Sequence, residues 1–156
     1  MAGFKLIKDL EKTLNILALS DIHRRYSVND IQRLIIPPLK LKQYRIYESK
    51  EIPLCFLSWA FLDAIASEGF VNDTRQIQAN DWNKGKLVWL MDIICPYGGI
   101  AQALERLDNE RKRYNKGKGV LGKPKLKMKV DTFFYKRMNR RNPVRIKNLK
   151  GKTDDK

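Results

Sequence analysis

Tyr44-Arg45-Ile46-Tyr47-Glu48-Ser49-Lys50-Glu51-Ile52-Pro53-Leu54-Cys55-Phe56-Leu57-Ser58-Trp59-Ala60 is the stretch that decides the fold. Tyr44 to Tyr47 alternates like a half-buried strand. Glu48 to Glu51 is polar and turn-like, and Leu54 to Ala60 is a mostly apolar strand rich in aromatics. Together they predict a β-hairpin with a loop of about four residues. Leu87-Val88-Trp89-Leu90-Met91 opens a further buried strand, which continues through Asp92 to Ile93-Ile94 and is broken by Pro96-Tyr97-Gly98-Gly99.

Helical patterns surround these strands. Phe4, Ile7, Leu10, Leu14 and Leu17 recur at three- and four-residue steps, opposite Lys5, Lys8, Glu11 and Lys12. Val28 to Ile36 reads as a short helix capped by Ser27 and stopped before Pro37-Pro38. Phe61 to Glu68 looks helical, with Gly69 at its C-cap. Ile100 to Arg113 is a helix with Ala103, Leu104 and Leu107 on one face. Lys125 to Val130 alternates Lys with apolar residues, as an edge strand does. This order predicts an α+β layer fold, with a central mixed or antiparallel sheet flanked by helices.

The chain has 156 residues, enough for one core. Its net charge is +15, and the distribution is uneven. Residues 1–110 hold 14 basic and 14 acidic side chains, whereas residues 111–156 hold 18 basic and 3 acidic. A neutral body therefore carries a basic C-terminal segment. The division expected is a catalytic domain over 1–136 and a basic, flexible tail over 137–156. No apolar run approaches the ~20 residues of a membrane span. The start, Met1-Ala2-Gly3-Phe4-Lys5, lacks the pattern of a signal peptide. Cys55 and Cys95, each in an apolar stretch, read as buried free thiols. One His and two separated Cys make a poor zinc set, so no metal is expected. A reduced, cytoplasmic compartment is inferred.

Two residues break their surroundings. Asp92 interrupts the apolar run Leu87 to Cys95, where a carboxylate loses hydration unless it has a partner. Position alone leaves two readings: a bulge or strand end that turns Asp92 to water, or a buried carboxylate that orients a catalytic base. His23 is the sole histidine, at a polar helix-to-loop junction with Ser20 and Asp21. A carboxylate on one imidazole nitrogen fixes the tautomer and leaves the other nitrogen to take a proton. Gly117-x-Gly119-x-x-Gly122 matches a dinucleotide fingerprint in letters, but a charged helix precedes it and Pro124 follows, so it reads as a hinge. The tail interleaves Phe133-Phe134-Tyr135 with Lys136-Arg137, a composition that also suits nucleic acid.

At Ser58-Trp59-Ala60, then Asp81-Trp82-x-x-Gly85, Trp89-x-x-Asp92 and Pro96-Tyr97-Gly98-Gly99, the chain resembles the lysine acyltransferases that activate RTX pore-forming toxins. His23-Arg24, Pro37 and Gln43-Tyr44 fall at that family's expected positions. The likeness runs from about residue 15 to about residue 107. It implies a single-domain fold similar to the GNAT acyltransferases, often dimeric, with no bound cofactor. It implies transfer of a fatty acyl group from acyl-acyl carrier protein to internal lysine ε-amines of an RTX-type protoxin. It implies a catalytic His23 supported by Asp92, with a further role for Ser20. Family members commonly carry an Asn in the segment before Pro37, where this chain reads Arg33-Leu34-Ile35-Ile36, and the C-terminal third is shorter and more basic than in the family.

On this reading His23 removes a proton from the attacking lysine, whose ordinary pKa is about 10.4. Asp92 holds the imidazole. Backbone N–H groups around Gly98 and Gly99 are the candidate oxyanion donors. Direct transfer and a two-step, acyl-His route are both compatible with these residues. The rival enzyme is a coenzyme A-dependent GNAT-type N-acyltransferase, for which Tyr114 to Gly119 is a near miss to the pyrophosphate motif. The non-enzyme rival is a basic nucleic-acid-binding module, disfavoured because the charge lies outside the matching region. The tail's charge instead suits an acidic carrier protein.

Overall fold

A computed structural model describes residues 2–115, 133–135 and 144–146. The glycine segment 117–122 and the alternating lysines of 125–130 lie outside the described residues. Helix α1 (Ala2–Ala18) leads into a 3-10 turn (His23–Arg25). A composite helix follows: α2 (Val28–Asp30), a π turn (Ile31–Ile35) and α3 (Ile36–Leu41). Strands β1 (Tyr44–Ser49) and β2 (Ile52–Leu62), helix α4 (Ala64–Asn72), strand β3 (Leu87–Ile94) and helix α5 (Ile100–Asn115) come next. Strands β4 (Phe133–Tyr135) and β5 (Val144–Ile146) complete a sheet of order β1-β2-β3-β4-β5. β2 is antiparallel to both β1 and β3, β4 runs parallel to β3, and β5 is antiparallel to β4. The fold is thus α+β with a mixed sheet, and β5 falls within residues 137–156.

Four local expectations need correction. The hairpin turns on two residues, Lys50 and Glu51, both with positive φ (47° and 65°), because Ser49 pairs directly with Ile52. Two positive φ values match the right-handed twist of paired strands. β2 continues to Leu62, so the next helix starts at the Asp63 cap, whose carboxylate accepts the Ala66 N–H (2.8 Å). Gly69 is then inside α4, and Asp73 takes the left-handed cap position. Gly69 instead gives room to the returning loop: a Cβ there would lie 2.8 Å from the Cβ of Arg75.

The helix from Val28 does not stop before Pro37. It opens with a reciprocal Ser27–Asp30 capping box, loosens into the π turn, and carries both prolines in the first turn of α3. Pro37 has no N–H for the carbonyl four residues back, Arg33. The Trp82 indole donates to that carbonyl instead (2.9 Å).

Finally, α1 is rotated from the expected face. Asp9, Thr13, Ile16 and Leu17 point inward, while Phe4 and Ile7 are exposed. Asp9 is held by Lys5 (2.7 Å) and by the Tyr44 hydroxyl, which makes a polar inward position tolerable.

The sheet buries both faces. Leu57, Trp59, Phe61, Val88 and Leu90 pack with Ala103 and Leu107 of α5. On the other face Phe56 and Ile94 meet Ile16, Leu17, Ile35 and Leu39, while Ala60, Leu62 and Trp89 meet Ala66, Ile77 and Trp82. From Cys55 to Leu62 β2 alternates between the faces, but β3 does not. Val88 and Leu90 face α5, whereas Ile94, an even number of residues on, faces α1. The cause is a bulge: Ser58 pairs with Asp92, Trp59 pairs with Leu90, and Met91 has no partner in the ladder.

Candidate active site

The bulge decides where Asp92 points. It does not turn the carboxylate to water; Asp92 is 6% exposed. Its backbone N–H donates to Ser58 Oγ (3.2 Å) across the irregular register, and its side chain lies beneath the turn after α1. That turn is short and wound by its own backbone: Ser20 N–H bonds to Leu17 O, Arg24 N–H to Ser20 O and Tyr26 N–H to His23 O. Ser20, His23 and Tyr26, spaced by three, thereby converge.

Three contacts define the site. Ser20 Oγ lies 2.6 Å from His23 Nδ1. His23 Nε2 lies 3.5 Å from Asp92 Oδ1. The Tyr26 hydroxyl donates to the same Oδ1 (3.0 Å). A carboxylate beside Nε2 favours the tautomer with its proton there, which leaves Nδ1 to accept from the Ser20 hydroxyl. The polar chain therefore runs Ser20 O–H to His23 to Asp92. Burial raises the Tyr26 ionisation far above its ordinary value, and the Asp92 charge adds to this. Tyr26 is a fixed donor at any working pH. Its ring also meets the His23 ring edge-on at 5.3 Å. Asp92 Oδ2 is buried and has no hydrogen-bond partner among the described residues.

Of the residues expected at the site, Ser20, His23 and Asp92 come together. Gly98 and Gly99 do not share a hydrogen bond with them. Both take positive φ in the turn before α5, and the Gly98 N–H is already committed to Cys95 O (3.0 Å). Sequence reading missed Tyr26 and Ser58. A phenol three residues after the histidine, at the spacing of Ser20 before it, was the available signal. The thiols offer no alternative nucleophile: both are free, and burial, then Cys55 beside it, raises the Cys95 thiol well above its ordinary range. Among the described residues no group of His, Cys, Asp or Glu is placed to hold a metal ion, and no helix is long and apolar enough to cross a membrane.

The remaining motif letters form a separate, structural circuit. Gln43 Nε2 donates to Trp82 O (3.2 Å), and Gln43 O accepts from Trp59 N–H (3.0 Å). A Cβ on Gly85 would lie 2.0 Å from Leu62 O. Catalytic-looking and structural motif residues thus occupy different parts of the sheet. The sequence model of the RTX toxin acyltransferase family matches residues 6–134. The chain belongs to this family. Among RTX toxin acyltransferase relatives, the RTX-II toxin-activating lysine-acyltransferase of Actinobacillus pleuropneumoniae is 29% identical over 101 residues, covering 65% of this chain and 62% of that protein. A protein-lysine palmitoyltransferase of Bordetella bronchiseptica is 31% identical over 78 residues (50% of this chain, 42% of that one). A protein-lysine myristoyltransferase of Kingella kingae is 27% identical over 79 residues (51% and 47%). The chain therefore spans less than two thirds of the length of each of these relatives.

Proposed function

We propose that this protein is a protein-lysine fatty acyltransferase that moves an acyl group from acyl-acyl carrier protein to internal lysines of an RTX-type protoxin. The observation that carries the reading is the Ser20–His23–Asp92 chain within a member of this family. The palmitoyl and myristoyl transferases among its relatives point to a long acyl chain.

In the reaction the lysine ε-nitrogen attacks the thioester carbonyl. The C–N bond forms, the C–S bond breaks, and the carrier leaves as a thiol. The amine must shed a proton as it attacks. Nδ1 is the acceptor nitrogen, and Ser20 stands on it. Ser20 therefore relays: its hydroxyl proton passes to Nδ1 while it takes one from the amine. The imidazolium is stabilised by Asp92, and the proton then returns to the departing sulfur. The 3.5 Å separation between Nε2 and Asp92 shortens as charge develops on the ring.

The finer architecture belongs to the same proposal. β3, α5 and β4 make a parallel crossover unit, and the bulged β3 lies beside the site, an arrangement that suits a GNAT-like fold. Residues 1–136 are the catalytic body. The basic residues 137–156, which include β5, suit an acidic donor, and a homodimer and a cytoplasmic setting complete the reading. The test is His23→Ala. A general base is worth about 10²–10⁴-fold, so toxin lysine acylation from acyl-carrier protein, read by mass spectrometry, should fall by that factor with Tm unchanged. Wild-type rates in a folded His23→Ala protein would end the reading.

A further inference from the structure

We infer that the cavity of about 460 Å³ beside Tyr26 and Asp92 holds the fatty chain of the donor, and that Leu34 and Met91 limit its length. The inference rests on the acyltransferase reading. The volume lies within the ~300–1,000 Å³ of small-ligand sites.

The bulge is what joins this cavity to the chemistry. Met91 shares the sheet face of Trp89, as alternate strand residues do, and the bulge brings Asp92 in beside it. Tyr26 and Asp92, the residues that meet His23 from this side, line the cavity together with Met91. The floor beyond is apolar: Leu34, Phe70, Ile77 and Met91 all pack against the cluster around Trp82 and Trp89. The Phe70 ring meets Trp89 edge-on at 5.3 Å.

The lining also has polar members, Arg33, Asp73, Thr74, Arg75 and Gln76. Arg33 Nη2 is held by Asp30 (2.8 Å) and Arg75 by Asp81 (2.8 Å), whereas Arg33 Nε is buried without a partner among the described residues. The Tyr26 hydroxyl is turned to Asp92 Oδ1, and Oδ2 is buried away from solvent. An alkyl chain entering here covers Leu34, Phe70 and Met91 and leaves the Arg33–Asp30 and Arg75–Asp81 pairs in place. It also expels water next to the imidazole–carboxylate pair, which strengthens their interaction. A second cavity of about 370 Å³, lined by Leu6, Leu39 and Ile46 as well as by Lys5, Asp9 and Glu48, shares no residue with the site.

The experiment uses the full chain, the toxin substrate, and carrier protein loaded with octanoyl or palmitoyl groups. Leu34→Trp fills the cavity. Each methylene kept out of an apolar site costs about fourfold, so the palmitoyl-to-octanoyl ratio of kcat/KM should fall at least about tenfold, with octanoyl transfer kept within about twofold. Met91→Ala enlarges the cavity and should move the ratio the other way, which decides the matter alone if Leu34→Trp does not fold. An unchanged ratio in folded variants that still acylate would overturn the chain-cavity assignment and leave the acyltransferase reading standing. No transfer by the wild-type protein from either donor would overturn both.

Discussion

Two of the buried aspartates, Asp81 and Asp92, belong to motif segments of this chain, and their surroundings differ. Asp81, in the turn from Gln78 to Gly85, has every neighbour a carboxylate needs. Arg75 (2.8 Å) and Lys84 (3.8 Å) meet Oδ1, and the Gln78 N–H (2.7 Å) meets Oδ2. Asp92 puts one oxygen between a phenol and an imidazole and leaves the other without a partner. A saturated buried carboxylate holds a fold together; nothing further can bind it. An unsaturated one beside a titratable ring is ready for a change of charge. Both aspartates belong to the family-like motif strings, so the letters do not separate them. The hydrogen-bond inventory does.

The contrast is tested hardest by Gly85→Ala. The new Cβ would meet backbone at Leu62 O and Asp63 N, neither of which is the end of a flexible side chain. The β2–α4 junction would have to move. We expect a loss of at least about 3 kcal/mol of stability by denaturant titration, the range of strain and overpacking. A Gly85→Ala protein as stable as wild type would dissolve the structural half of the comparison.

Asp81→Asn is the next largest. Burial alone would raise the Asp81 pKa, but Arg75, the Gln78 N–H and Lys84 together hold it below the ordinary carboxylate range. Its folded value is depressed, so the stability it contributes is present above about pH 4, the ordinary unfolded value, and is lost as pH falls through the folded value. Asn at this position should cost about 1–3 kcal/mol near neutral pH and flatten the acid limb of the stability curve. Arg75 is partly exposed, which keeps the expected loss at the lower end. An acid limb as steep as wild type would assign that limb to other carboxylates.

The hairpin and β3 were legible because apolar alternation and aromatic content are local. The meeting of His23 with Asp92 was legible only as chemistry, since 69 residues separate them. What brings them together is the bulge at Met91, and a bulge has no letter of its own: Leu87 to Ile94 reads as one strand with one odd residue. Pro37 misled for a related reason. A proline stops a helix when its orphaned carbonyl has no donor, but here Trp82, 45 residues away, supplies one. The face of α1 differs from its apolar stripe because Asp9 turns inward, and its Tyr44 partner lies on β1. In each case the deciding contact is long-range, and sequence periodicity carries only short-range information.

Tyr26→Phe is the smallest change, and it sharpens the site's half of the comparison. It removes one oxygen and keeps the ring that packs on His23. With the phenol gone, Asp92 Oδ1 loses its hydrogen-bond donor and turns fully to Nε2. A carboxylate with one donor fewer stabilises the imidazolium more strongly. The chain from Ser20 to Asp92 should therefore stay intact, with kcat/KM for toxin acylation changed only a few-fold. A fall in kcat/KM as large as that of His23→Ala would place Tyr26 among the proton-transferring groups. A lowered Tm with unchanged kcat/KM would show that the phenol holds the turn and not the charge on Asp92.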